Sequence, residues 1–347
     1  MDWSNLTILL TGGTGSFGKA FTEIVLRDKK PKKLIIYSRD ELKQHEMHNA
    51  LRAQGFDEEQ FRFFIGDVRD GERLRRAMHG VDLVVHAAAL KHVPACEYNP
   101  FEAIKTNVLG AENIINASID AGVKKVVALS TDKAVNPVNL YGATKLCAEK
   151  MFIQGNSYAG MGGTRFCCVR YGNVIGSRGS IVPLFREQSE SGEITVTDER
   201  MTRFWISLEQ GVQLVFTAIE ERFGAEKCGG EVFIPKIPSM KIVDLAKAVA
   251  PDCTIKYVGI RPGEKLHESL ISFDEARHTV DTGEMYVIEP EEPSWKYDTW
   301  PGGKSLPADF HYSSDKNDDW LTVESLHSLI STPSQEKHAD TSKPVAV

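Results

Sequence analysis

Leu6-Thr7-Ile8-Leu9-Leu10-Thr11-Gly12-Gly13-Thr14-Gly15-Ser16-Phe17-Gly18 decides the fold of this chain. The apolar run Leu6–Leu10 has the length of one buried strand. It feeds directly into glycines at 12, 15 and 18, spaced G-x-x-G-x-x-G, and a helical pattern, Lys19–Leu26, follows at once. Glycine tolerates the tight turn and lets backbone N–H groups approach a pyrophosphate, which then rests on the helix N-terminus. An ordinary glycine-rich turn would account for the glycines alone. The agreement of every spacing with both flanks favours a dinucleotide site, with Gly12, Thr14, Gly15, Ser16, Phe17 and Gly18 at the cofactor.

Downstream, apolar runs recur at Lys33–Tyr37, Phe61–Ile65, Leu83–His86, Val126–Leu129 and Cys167–Val169, with amphipathic stretches between them. In one of these, Asn99–Ala121, Ile104, Val108, Ile114 and Ile115 fall at helical spacing. Strands alternating with helices imply an α/β fold, a doubly wound parallel sheet of the Rossmann type, with a smaller C-terminal substrate domain. The expected division is a dinucleotide-binding domain over 1–171, a return to the sheet within 204–235, and a substrate domain mostly within 172–330. Helices are expected at Leu208–Arg222 and Lys241–Val249. The polar stretch 331–347 reads as a disordered tail.

The 347 residues suffice for such a two-part unit, and 41% hydrophobic with 26% charged residues is a soluble globular balance. A net charge of −7 argues against a general nucleic-acid binder, though not against a local basic pocket for one nucleotide. The six cysteines form no C-x-x-C pair and read as reduced, mostly buried residues, with no metal site expected. Asp2 without a basic leader, and the lack of any long apolar run, lead to an expectation of a cytoplasmic protein with no membrane partner.

The second strand ends at Ser38-Arg39-Asp40, with Lys43 beyond. A site selective for NAD usually places a carboxylate here for the ribose hydroxyls. Arg39 comes first, and a guanidinium suits a 2′-phosphate, so NADP is favoured while Asp40 keeps NAD open. Tyr141 and Lys145 form Y-x-x-x-K, which shares one helix face. There the Lys145 ammonium is expected to lower the phenol pKa, normally about 10, so that Tyr141 acts as a base near neutrality. Thr131, in the preceding loop Ser130-Thr131-Asp132-Lys133, is placed to hydrogen-bond the reacting sugar hydroxyl.

These residues together resemble an extended short-chain dehydrogenase/reductase. The narrower resemblance is to the inverting UDP-N-acetylglucosamine 4,6-dehydratases of pseudaminic acid biosynthesis. It rests on Ala89-Leu90-Lys91-His92-Val93-Pro94, Ser130-Thr131-Asp132-Lys133-Ala134, Arg170-Tyr171-Gly172-Asn173-Val174 and Gly259-Ile260-Arg261-Pro262-Gly263-Glu264-Lys265, and it spans roughly residues 5 to 330. The resemblance implies cofactor contacts at Asp67, Val68, Ala87, Ala88 and Val174 besides those already named. It implies sugar and diphosphate contacts at Lys91 and Asn173, a diphosphate partner in Arg261, a ribose acceptor in Glu264, and a uracil pocket at Pro183, Leu184 and Thr197. Without it, Arg261 and Glu264 read equally well as a surface ion pair. It also implies a homo-oligomer, with a hexamer among the assemblies it allows.

A 4-epimerase needs only a hydride shuttle at C4, whereas a 4,6-dehydratase also needs an acid and a base to eliminate water across C5 and C6. Asp132-Lys133 supplies two ionisable groups beside the tyrosine. The expectation is Lys133 as a neutral amine that removes the C5 proton and Asp132 as the acid for the C6 hydroxyl, with the assignment between them open. A UDP-sugar 4-epimerase and a non-catalytic NADP-binding scaffold remain the rival readings. Met201-Thr202-Arg203-Phe204 and Tyr312-Ser313-Ser314-Asp315 carry no assigned role.

Overall fold

The computed structural model describes residues 1–175 and 181–331. All of the expected tail except Ser331 therefore lies outside the described residues. The chain runs β1 (Thr7–Thr11), α1 (Ser16–Ile24), β2 (Lys33–Ser38), α2 (Glu41–Ala53), β3 (Phe61–Ile65), α3 (Gly71–Ala77) and β4 (Leu83–His86). It continues through α4 (Val93–Tyr98), α5 (Pro100–Ile104), α6 (Gly110–Ala121), β5 (Lys125–Leu129), α7 (Leu140–Ala159) and β6 (Arg165–Val169). These six strands lie parallel in the order β3-β2-β1-β4-β5-β6, the doubly wound arrangement.

Burial explains why these runs became strands. In the centre, β4 and β6 are buried at every position, and the neighbours Cys167 and Cys168 are both fully buried although they face opposite sides. A sheet covered on both faces demands such unbroken apolar runs. The edge strand β3 is buried only at Phe61, and Arg62 and Arg73 lie over the Phe64 ring at 5.2 and 4.8 Å. That cover shields an apolar edge from further pairing.

The stretch expected as one amphipathic helix over 99–121 is broken. Between α5 and α6 the backbone widens into a π-helical turn, Lys105–Leu109. The extra residue turns the polar Asn107 inward, where it is buried, and leaves Ile104 37% exposed, so Ile104 does not serve the core as its spacing suggested. Asn107 bonds both backbone groups of Leu90 and donates to Thr144 on α7, tying the loop after β4 to the Tyr141 helix.

Beyond β6 come β7 (Asn173–Val174), α8 (Ile181–Ser189), β8 (Glu193–Val196), β9 (Thr202–Ile206), α9 (Leu208–Glu220) and β10 (Val232–Pro235). Then follow β11 (Ser239–Lys241), α10 (Ile242–Val249), β12 (Thr254–Tyr257), β13 (Ser269–Ile271), α11 (Phe273–Ala276), β14 (Thr279–Asp281) and β15 (Met285–Ile288). The last elements are β16 (Lys304–Ser305), β17 (Tyr312–Ser313) and α12 (Val323–Ser331). Here the two parts interleave. Strand β10 joins the main sheet parallel to β6, and β15, β14 and β16 extend it antiparallel. The remaining strands form small sheets, β7-β9-β11, β8-β12 and β13-β17. A second apolar core, including Phe185, Ile194, Trp205, Met240 and Leu245, sits beneath α8 and α10.

Candidate active site

The glycine turn closes against the end of β4. Gly12 has φ +67°, and a Cβ there would lie 2.8 Å from the Ala88 nitrogen, so only glycine lets these backbones meet. Gly15 is the N-cap of α1 and no side chain caps that helix, which leaves its N-terminus open to an anion. This cradle fits a dinucleotide. At the end of β2, Asp40 is already occupied. It caps α2 by accepting from the Lys43 nitrogen at 3.0 Å and pairs with the Lys43 ammonium at 2.6 Å. Arg39 stays half exposed, 3.6 Å from Asp67. Burial pushes the Asp67 carboxyl up, but hydrogen bonds from Arg69 and the charges of Arg69 and Arg39 outweigh it and hold it below its usual value.

The loop after β5 turns through a short 3-10 segment, Asp132–Ala134, with Thr131 as its cap. Thr131 donates to Asp132 Oδ1 at 2.9 Å, and the Lys133 ammonium donates to the same oxygen at 3.1 Å and to Asn173 Oδ1 at 3.4 Å. This segment presses on the first turn of α7. A Cβ on Gly142 would strike the Lys133 carbonyl oxygen at 2.1 Å, so glycine beside Tyr141 is what brings Lys133 up to the phenol. Asn139 caps α7 and also donates to the Gly263 carbonyl at 2.8 Å, anchoring the 261–265 turn at the same place.

Two expectations about charge need correction. Lys133 was expected as a neutral amine. Burial does push its pKa down, but Asp132 and Glu268 push it up by more, so the resting side chain is an ammonium. Lys145 was expected to acidify Tyr141. Its ammonium instead donates to the Leu129 carbonyl at 2.6 Å, and burial lowers its own pKa. The Tyr141 phenol is pushed up to about 12 by burial, and the groups that oppose this are Lys133 and the hydrogen bond with Thr131. The cation that bears on the phenol is thus the lysine beside it in the loop, rather than the one a turn along its helix.

The other residues gather less tightly. Lys91 lies within electrostatic reach of Lys133, and partial burial followed by that charge lowers its pKa. Glu264 accepts from the backbone nitrogen of Arg261 at 3.3 Å, and no ion pair forms between the two side chains, which leaves the Arg261 guanidinium exposed. Pro183 and Leu184 are exposed on α8, while Thr197 is half buried, its carbonyl receiving the Gly259 nitrogen beside the Arg261 turn.

Sequence reasoning missed Glu268 and Arg203. Glu268 is 3% exposed, its Oε1 lies 3.7 Å from the Lys133 ammonium, and its Oε2 lies 3.5 Å from that of Lys265. Arg203, from the unassigned Met201–Phe204 motif, reaches Glu268 Oε1 at 3.9 Å. Ser314, from the second unassigned motif, donates and accepts around the Glu268 backbone and meets Thr202 at 2.7 Å. Both motifs therefore build the wall that carries Glu268. No spacing signal marks it, because Glu268 ends a charged run that resembles a solvated loop.

The sheet order, the glycine turn and the Tyr141–Lys145 helix define an extended short-chain dehydrogenase/reductase. The chain belongs to the polysaccharide biosynthesis protein family, whose model matches residues 8–290. It is 53% identical over 332 residues to a UDP-N-acetylglucosamine 4,6-dehydratase (inverting) of Campylobacter jejuni subsp. jejuni serotype O:2, covering 93% of this chain and 96% of that protein. A UDP-glucose 4-epimerase of Rickettsia canadensis is 42% identical, covering 94% and 95%. Among solved structures, Pen from Bacillus thuringiensis superposes with a TM-score of 0.83 at 38% identity, covering 95% of this chain and 99% of that one. DesIV, a dTDP-glucose 4,6-dehydratase from Streptomyces venezuelae solved with NAD and TYD, shares the fold at a TM-score of 0.63 and 22% identity, covering 75% and 87%.

Proposed function

We propose that this protein is an inverting UDP-N-acetylglucosamine 4,6-dehydratase that uses NADP. The observation that carries the reading is the pairing of the buried Asp132 carboxylate with the partly exposed Lys133 ammonium against Tyr141, which a simple epimerase would not use. A nicotinamide dinucleotide held by Gly12, Thr14, Gly15 and Gly18 would supply the hydride acceptor for C4 and the hydride donor for C6. Tyr141, ionised to the phenolate with help from the Lys133 charge and the Thr131 hydrogen bond, takes the C4 hydroxyl proton. The resulting ketone acidifies C5–H. Asp132 and Lys133 share one proton, so shifting it from the ammonium to the carboxylate gives the neutral amine and the carboxylic acid that elimination requires. Lys133 then removes the C5 proton while Asp132 protonates the departing C6 hydroxyl. That step leaves the pair as it began; a solvent proton then reaches C5 on the opposite face, and Tyr141 returns to solvent the proton it took from the C4 hydroxyl.

Lys91, Asn173 and Arg261 would hold the sugar and diphosphate, with Glu264 at the uridine ribose and Pro183, Leu184 and Thr197 at the uracil. Arg39 selects NADP because Asp40 is engaged by Lys43. The product would enter pseudaminic acid biosynthesis in the cytoplasm, and the enzyme would work as a homo-oligomer with its substrate part mostly within 172–330. The epimerase reading has one observation in its favour, the Rickettsia relatives. Mass spectrometry after incubation with UDP-N-acetylglucosamine separates the two. The dehydratase product loses the mass of one water, and an epimer does not.

A further inference from the structure

Lys133 is flanked by two buried carboxylates, and the proposed chemistry uses only one of them. Glu268 arrives from the far end of the chain, immediately before β13. Its Oε1 sits 3.7 Å from the Lys133 ammonium, while Asp132 Oδ1 sits at 3.1 Å. Asp132 Oδ2 and Glu268 Oε2 are both buried and accept no hydrogen bond among the described residues. A buried carboxylate oxygen left without a donor is costly, and it persists where function has a use for it.

We propose that Glu268 is a positioning residue. It holds Lys133 as an ammonium against Asp132 and so sets how readily Lys133 passes its proton to Asp132 and becomes the amine that takes the C5 proton. This inference rests on the dehydratase reading for its consequence, though not for its electrostatics. The balance is simple. An N–H bond of the Lys133 ammonium breaks, an O–H bond forms on Asp132, and no proton enters or leaves. Glu268 opposes this shift, because it attracts the ammonium and not the amine. Arg203 and Lys265, both facing Glu268, draw part of its charge away from Lys133. Among the described residues, the other groups that bear on Lys133 are Arg203 and Lys91, which repel the ammonium, and Tyr141, which feels its charge. Glu268 thus works as a brake, and the cations around it determine how hard it acts.

Two consequences have opposite signs. Glu268→Gln keeps the shape and removes the charge, so the Lys133 pKa falls. Lys265→Met removes a competing cation, so Glu268 acts more fully on Lys133 and the pKa rises. An opposite charge at this range moves a pKa by about 1 unit or more.

The test is trace acetylation of the folded protein with acetic anhydride across a pH series, read lysine by lysine through peptide mass spectrometry. This needs no substrate. The expected result is a Lys133 labelling limb about one pH unit lower in Glu268→Gln, retained in Glu268→Asp, and displaced upward in Lys265→Met, with surface lysines unmoved. An unmoved Lys133 limb in Glu268→Gln, or equal shifts in Glu268→Gln and Glu268→Asp, overturns the proposal. A downward limb in Lys265→Met overturns it as well, which keeps the test decisive if Glu268→Gln folds poorly. In turnover of UDP-N-acetylglucosamine at neutral pH, Glu268→Gln should speed water loss and Lys265→Met should slow it. Labelling shifts in a protein that dehydrates no UDP-sugar would support the electrostatic role of Glu268 and defeat the dehydratase reading instead.

Discussion

Among the described residues, the charges around Arg170 and those around Lys133 are built to different standards. In the first, Arg170, fully buried at the end of β6, donates to both oxygens of Glu149 on α7, to Glu275 on α11 and to the Leu270 carbonyl. The second oxygen of Glu275 accepts from the Ser272 nitrogen and hydroxyl. Every carboxylate oxygen there has a donor. In the second, Lys133 sits between Asp132 and Glu268, and among the described residues one oxygen of each carboxylate accepts no hydrogen bond, although Glu268 Oε2 faces the Lys265 ammonium at 3.5 Å. The satisfied cluster ties the sheet to its late elements. The unsatisfied one lies beside Tyr141. Burial of charge alone says little about function; the oxygens that accept no hydrogen bond distinguish the Lys133 cluster from the Arg170 one.

The largest expected effect belongs to the Lys133 cluster. Lys133→Met should leave C4 oxidation measurable but stop water loss, lowering that step by roughly 10³-fold, within the usual reach of a general base. Rapid-quench mass spectrometry checks this, and a variant that still loses water at the parent rate breaks the comparison. The same variant sharpens it through Tyr141. Lys133 opposes the burial that raises the phenol, so removing that charge should move the C4-oxidation limb to higher pH.

Arg170→Met should do the reverse. It strands the Glu149 carboxylate in the core and is expected to cost about 3–5 kcal/mol of stability, read by urea unfolding. The folded fraction should keep its water-loss pH profile. The satisfied cluster also has a sign in pH. Burial pushes the Glu275 carboxyl up, but Arg170 pulls it further down, to below its ordinary value of 4.5. Its contribution is therefore present above pH 4.5 and lost as pH falls through the folded value, and Arg170→Met should remove that acid-sensitive part.

A third pair, exposed, completes the series. Arg39 and Asp67 are 3.6 Å apart at the surface, where such pairs contribute about 0–1 kcal/mol. Arg39→Asp should leave stability nearly unchanged, yet weaken NADP binding by roughly 10-fold or more while sparing NAD. Calorimetric titration with both dinucleotides is the check, and equal affinities in the unmutated protein would contradict the assignment.

The central sheet was legible in the sequence because parallel strands covered on both faces must be continuously apolar, and Leu6–Leu10 and Cys167–Val169 have no other comfortable place. The antiparallel strands β14 and β16 were not legible, since β14 spans three residues of mixed burial and β16 two exposed ones. The π-helical turn at Lys105–Leu109 escaped because spacing arguments assume an unbroken helical period. At the site, the residues close in sequence to the glycine turn and to Tyr141 were readable as groups. Glu268 was not, because only the folded chain brings it across more than a hundred positions to Lys133. Charge states were the least readable of all. Lys145 stands one turn from Tyr141 on the same helix, yet its ammonium is committed to the Leu129 carbonyl.

The most direct measurement is proton NMR of the fresh product formed from UDP-N-acetylglucosamine in D₂O, recorded before slow non-enzymatic epimerisation at C5. The account predicts a 4-keto-6-deoxy sugar with the L-arabino configuration, carrying one solvent deuteron at C5. A product that keeps its original C5 configuration, or one that retains the C6 hydroxyl, would contradict it.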